Sequence, residues 1–94
     1  MAKLIVRHRV KNFEVWQKVF LEMIPVRKEF GFLGYTLVQD AGDPNMVTII
    51  NDVKDVASAK AYAASQELRQ GMANAGVAGP PDVFFCEDVS EQRY

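Results

Sequence analysis

KLIVRHRV, residues Lys3–Val10, carries the only histidine of the chain between two arginines, in a run that is otherwise apolar. Alternation with a period of two puts Leu4, Val6, His8 and Val10 on one face of a strand and Ile5, Arg7 and Arg9 on the other. A strand that is apolar near its start on both faces belongs in the middle of a sheet, with something packed on each side. What meets His8 on one face and the arginines on the other depends on the elements that follow.

Downstream, Lys11-Asn12 offers a helix start, with Asn12 able to accept a bond from a first-turn amide and Glu14 placed at the positive end of the helix dipole. The helix runs to about Glu29. Phe13, Trp16, Phe20 and Met23 recur at helical spacing and, with Val19 and Ile24, form its core stripe. Pro25 removes the bond to the Leu21 carbonyl, so it kinks the helix or makes its last turns a separate segment. Gly31 is a natural stop, and Val26 and Phe30 close the base of the core. Phe32–Gln39 and Met46–Val53 read as strands joined by Asp40-Ala41-Gly42-Asp43-Pro44-Asn45, a connection so short that they form an antiparallel hairpin. Two helices follow. Asp55 caps Val56–Ala64, with Val56, Ala59 and Ala63 inward; Ser65 caps Gln66–Ala75, with Leu68, Met72 and Ala75 inward and Gly76 as the left-handed residue at its end. Gly79-Pro80-Pro81 then leads, extended, into a fourth strand, Asp82–Val89, with Phe84 and Phe85 on opposite faces. Ser90–Tyr94 reads as a polar tail.

Composition narrows the function classes. The 94 residues make one domain spanning 1–94, and 49% hydrophobic with 24% charged residues is the balance of a globular chain. A formal charge of −1 leaves no net field to hold a nucleic acid or an anionic membrane surface, so neither is an expected partner. With one cysteine, Cys86, no internal disulfide can form, and the FFC context reads as a buried, unreactive thiol. The first ten residues are too short and too charged for a signal peptide, no apolar run is long enough for a membrane span, and the expected compartment is the cytoplasm.

The order strand, helix, strand, strand, helix pair, strand is an α+β fold of the ferredoxin-like βαββαβ type. It places a four-stranded antiparallel sheet under helices on one face, with the first strand in the middle. Because all four strands carry apolar residues on both faces, the second face is expected to be covered by another copy of the chain in a homodimer.

This order, together with Arg7-His8, Asn12-Phe13, Trp16 and Asp43-Pro44-Asn45, resembles the dimeric α+β barrel superfamily. Ser65-Gln66-Glu67-Leu68-Arg69 with Met72, and Ala75-Gly76-Val77-Ala78-Gly79-Pro80-Pro81, extend the likeness over nearly the whole chain, most closely to small bacterial proteins grouped with the antibiotic biosynthesis monooxygenases. The resemblance implies a homodimer whose two sheets enclose a barrel, with a ligand cavity in each subunit between sheet and helices. Its members span several chemistries. Haem-degrading relatives hold iron through a histidine on a helix after the third strand, and Val56–Ala75 contains none. The cofactor-free monooxygenases are associated with an Asn, a Trp, a Tyr and an Arg around the cavity, for which Asn12, Trp16, Tyr35 and Arg7 are the candidates by nearness.

The residues themselves leave alternatives. His8 is the one side chain that ordinarily titrates near neutrality; it is either a general base or a half-buried histidine satisfied by a carbonyl. Arg7 and Arg9 are either an anion-binding pair or an ion-pair array with Asp52, Glu87 or Asp88. Trp16 and Phe20 are core, or the aromatic walls of a ligand site, and Tyr35 sets a hydroxyl in the cavity or at its rim. No cluster with metal-ligand spacing, nucleophile elbow, phosphate loop or dinucleotide motif is present, so neither metal nor cofactor is expected. Two readings follow: a small-molecule enzyme or binding protein for an aromatic or phenolic ligand, with His8 at its polar end, or a non-catalytic accessory, sensing or interaction homodimer. An apolar volume of roughly 300 Å³ beside His8 favours the first and a filled interior the second.

Overall fold

The side-chain alternation of the first strand is realised in β1 (Ala2–Val10), whose helix-facing residues Leu4, His8 and Val10 are all buried in a computed structural model describing residues 1–94. The remaining elements are α1 (Phe13–Glu22), α2 (Ile24–Glu29), β2 (Phe32–Asp40), β3 (Asp43–Val53), α3 (Val56–Ala63), α4 (Gln66–Ala75) and β4 (Val77–Glu87). The sheet is antiparallel with strand order β2-β3-β1-β4, so β1 is interior, as its two-faced apolarity requires.

Local chemistry accounts for the element ends. The Asn12, Asp55 and Ser65 side chains each accept a bond from the backbone amide three residues on, at α1, α3 and α4. Gly76 ends α4 in the left-handed conformation at φ 73°. Pro25 lies in the first turn of α2, where no amide is needed, so the expected long helix becomes two, broken at Met23.

The larger differences from the sequence expectation lie at the hairpin and in β4. The hairpin between β2 and β3 is tighter, because pairing continues to Asp40 and Asp43 and leaves only Ala41 and Gly42 in the turn. β4 starts at Val77 rather than Asp82 and ends at Glu87 rather than Val89. The early start has a cause: Val77 and Ala78 pair with Val10 and Arg9 before a bulge sets Gly79, Pro80 and Pro81 opposite the single residue His8. Two prolines cannot donate to a ladder, and the bulge is where a strand tolerates them.

The helix-side core is divided. One cluster joins Leu4, Phe32, Val53, Ala59 and Tyr62; the other joins Val10, Trp16, Val47, Ile49 and Ala75; Val6 packs against both. Tyr62 rather than Val56 or Ala63 is the most deeply buried large residue of α3, wedged edge-on against Phe30 and Phe32. No helix is long and apolar enough to cross a membrane.

The opposite face of the sheet is arranged in rows. Phe84, Ile5 and Ile50 lie side by side across β4, β1 and β3, continued by Thr36 on β2. Charged rows flank them, with Lys3 between Asp52 and Asp88, Arg7 on Asp40 and Arg9 on Asp43. Cys86 sits on this face opposite Lys3, half-buried rather than in the core.

Replacing the α1 cap, Asn12→Ala, is expected to cost about 1 kcal/mol of stability. Urea denaturation read by circular dichroism measures it.

Candidate functional site

A half-enclosed cavity of about 130 Å³ lies at the seam between the two core clusters. The sheet supplies Leu4, Val6, His8, Ile49 and Asn51; α1 supplies Trp16 and Phe20; Pro81 and Val83 border it beside the β4 bulge. The volume is below the roughly 300 Å³ at which sites for drug-sized ligands begin, but close to the 150 Å³ or so that accommodates a benzene ring in an apolar protein interior. The cavity therefore suits one ring, not a flat polycycle.

His8 is the centre of its polar lining. Only 6% of the residue is exposed, and neither Nδ1 nor Nε2 has a hydrogen-bond partner on the chain. Its ring stands edge-on to Trp16, centroids 5.7 Å apart, and Trp16 in turn stacks on Phe20 at 4.9 Å. Burial pushes the imidazole below its ordinary value of 6.5, so at pH 7 it is neutral, with one nitrogen a donor and the other an acceptor. The bond to a backbone carbonyl that would make it an ordinary core histidine is not formed.

The other predicted residues divide. Trp16 and Phe20 line the cavity; Tyr35 stands outside it, 40% exposed, its ring edge-on to Phe20 at 4.8 Å. The Asn12 carboxamide is occupied as the α1 cap. Arg7 lies on the far side of the sheet, where both its terminal nitrogens donate to Asp40, at 2.7 and 2.9 Å. Arg9 pairs with Asp43 at 2.7 Å. The arginine pair is thus an ion-pair array, built with the hairpin aspartates because the register sets Arg7 and Arg9 opposite Thr48 and Met46, at the hairpin end, and Lys3 opposite Asp52.

Three polar lining residues escaped the sequence reading. Asn51 donates from Nδ2 to the Leu4 carbonyl at 3.0 Å, leaving a buried Oδ1 without a partner. An amide among Val47, Ile49 and Val53 on the inner face of a central strand was its signal. Tyr62 is held in the neutral form by burial, against the opposing pull of Arg27. Arg27 stands four residues beyond Met23, the next step of the stripe Phe13, Trp16, Phe20 and Met23, and that spacing was the signal that puts its side chain on the cavity side. A β-carbon at Gly71, also in the lining, would overlap the Met23 sulfur as it stands, so the flexible Met23 side chain would have to move aside. No group of three or more His, Cys, Asp or Glu side chains is placed to hold a metal ion.

A family model described as antibiotic biosynthesis monooxygenase matches residues 6–74. Among solved structures, a protein from Bordetella bronchiseptica assigned to the antibiotic biosynthesis monooxygenases superposes with a TM-score of 0.80 at 17% identity, covering 95% of this chain and 97% of its own. An antibiotic biosynthesis monooxygenase covers 96% of this chain and 100% of its own at 20% identity and a TM-score of 0.73. SnoaB, a cofactor-independent oxygenase from Streptomyces nogalater, superposes at 0.73 with 14% identity, covering 97% of each chain. At these identities the likeness is one of fold. No curated protein matches the sequence significantly.

Because the folded-state value of His8 is depressed, the unfolded chain takes up its proton first as the pH falls. The contribution of His8 to stability is therefore full above about pH 6.5 and declines below it, until the folded-state value is reached. Stability measured by urea unfolding should fall on acidification from pH 7 towards 5, before most carboxylates titrate. In His8→Gln that early decline should be absent.

Proposed function

This chain belongs to the antibiotic biosynthesis monooxygenase family of dimeric α+β barrel proteins, and we propose that it binds a one-ring phenolic or enolisable molecule and oxygenates it without a cofactor. The observation that carries this reading is His8, a buried neutral imidazole in an apolar cavity with neither nitrogen satisfied by the protein. Leaving a buried polar atom unpaired costs about 1–3 kcal/mol. A fold selected for stability alone would fill the site with an apolar side chain; one selected to meet a ligand's hydroxyl keeps the imidazole.

In the proposed reaction, His8 accepts the proton of the substrate hydroxyl or of an activated carbon. The resulting anion gives one electron to dioxygen, and the radical pair joins into a peroxide. Loss of water from the peroxide leaves a carbonyl on the ring, so one oxygen atom ends in the product and the other in water. The Trp16–Phe20 stack provides a flat apolar wall, and the small volume favours this chemistry over cyclisation of a polyketide chain, which needs more room. The role of His8 is tested with an oxygen electrode and a panel of substituted phenols that carry hydrogen at the para position, whose conversion to quinone requires an oxygen atom from dioxygen. Wild type should consume oxygen and form quinone, and His8→Ala should lower that rate at least about 100-fold, the usual contribution of a general base. An unchanged rate in His8→Ala would remove the base assignment, and binding without turnover across the panel would favour a sensing or accessory role.

The active unit in this reading is a homodimer closed through the open sheet face. Phe84, 53% exposed on the isolated chain, and Val38, 45% exposed, are large apolar residues on that face. The neighbouring cations are already neutralised within the chain, so two copies can meet there without unpaired charge. Light scattering should give twice the chain mass for wild type, and Phe84→Lys should shift the protein towards monomer.

A further inference from the structure

We propose that Arg27 makes this cavity selective for an organic anion, a single ring bearing a carboxylate or phenolate oxygen that docks on the guanidinium. The inference rests on the cavity being a ligand site and goes beyond that reading by naming the charge of the ligand and the group that recognises it. Arg27 is 5% exposed and lies in the cavity lining. An arginine buried in a protein is ordinarily matched by a carboxylate, since an isolated charge is costly to remove from water. Here the chain's ion pairs use Lys3, Arg7 and Arg9 on the other side of the sheet, and no carboxylate lies within 4.0 Å of Arg27.

What holds Arg27 is neutral. One nitrogen, Nη2, donates to the Phe20 carbonyl at 2.8 Å, and the guanidinium carbon lies 4.0 Å over the Phe20 ring. Together with the Tyr62 phenol beside it, these contacts orient the plane without cancelling its charge. A guanidinium has five N–H donors in a fixed fork, suited to two oxygens of a carboxylate or one charged phenolate oxygen.

The remainder of the lining strengthens the selection. It contains no aspartate or glutamate, so Arg27 is its only formal charge once His8 is neutral. A cation would meet repulsion and a neutral ring would leave the guanidinium unmatched. Contacts run from Arg27 to Phe20, from Phe20 to Trp16 and from Trp16 to His8, which sets a fixed cation at one end of an aromatic wall and a proton acceptor at the other.

The experiment compares benzoate with benzamide, rings of nearly the same shape that differ in charge. Trp16, the only tryptophan, lines the cavity, and its fluorescence reports binding directly. Wild type should bind benzoate at least tenfold more tightly than benzamide, and Arg27→Gln should remove that preference by weakening benzoate while leaving benzamide within about twofold. Equal binding of the two probes to wild type would overturn the anion assignment and leave the cavity as a ligand site. No response to benzoate, benzamide or phenol at millimolar concentration would overturn the ligand-site reading and this inference with it. The wild-type comparison decides the matter even where Arg27→Gln fails to fold.

Discussion

A histidine held out of water, with its two nitrogens unmatched by the protein, is the constraint around which the helix side of this fold is arranged. It follows from strand geometry. Once Leu4 and Val10 face the helices, a period of two brings His8 to the same side, under Trp16. The alternative of turning His8 to the other face would expose Leu4 and Val10 together, and a single imidazole cannot outweigh that loss of apolar burial. The backbone around it responds as well: the β4 bulge spends three residues, two of them prolines, opposite this one position.

A second device is the break between α1 and α2. Arg27 continues the stripe of Phe13, Trp16, Phe20 and Met23 at the next step of four, so it keeps to the cavity side across the break. At this junction, with Pro25 in the first turn of the next helix, the guanidinium lies over the ring of Phe20 and donates to the Phe20 carbonyl, which also accepts the Met23 amide at 3.3 Å. The same junction puts Met23 against Gly71 of α4, so the close approach of the helices and the cation lie at one place. The divided core is the consequence: two tight clusters joined through Val6, with a cavity where a single cluster would otherwise be continuous.

The two faces of the sheet handle charge in opposite ways. On the open face every strand cation has a carboxylate within 3.0 Å. These pairs are solvent-accessible and add little stability individually. Their effect is to leave an apolar row, Phe84, Ile5 and Ile50, bounded by neutralised neighbours. In the cavity on the helix side a single buried cation, Arg27, sits among rings and the Phe20 carbonyl with no carboxylate. The chain's near-zero net charge conceals this separation.

Element order, the central place of β1, the helix caps at Asn12, Asp55 and Ser65, and the inward placement of His8, Trp16 and Phe20 were all legible in the residues, because each depends on short-range periodicity or on a side chain bonding its own backbone nearby. The partners of Arg7 and Arg9, the diversion of Asn12 to a cap, the exclusion of Tyr35 from the cavity and the recruitment of Arg27, Asn51 and Tyr62 were decided only in three dimensions. The reason is physical. Periodicity states which face a side chain takes, whereas a site is made by faces of distant elements meeting at one depth, here the inner face of β1 and β3, the helices and the bulged stretch of β4.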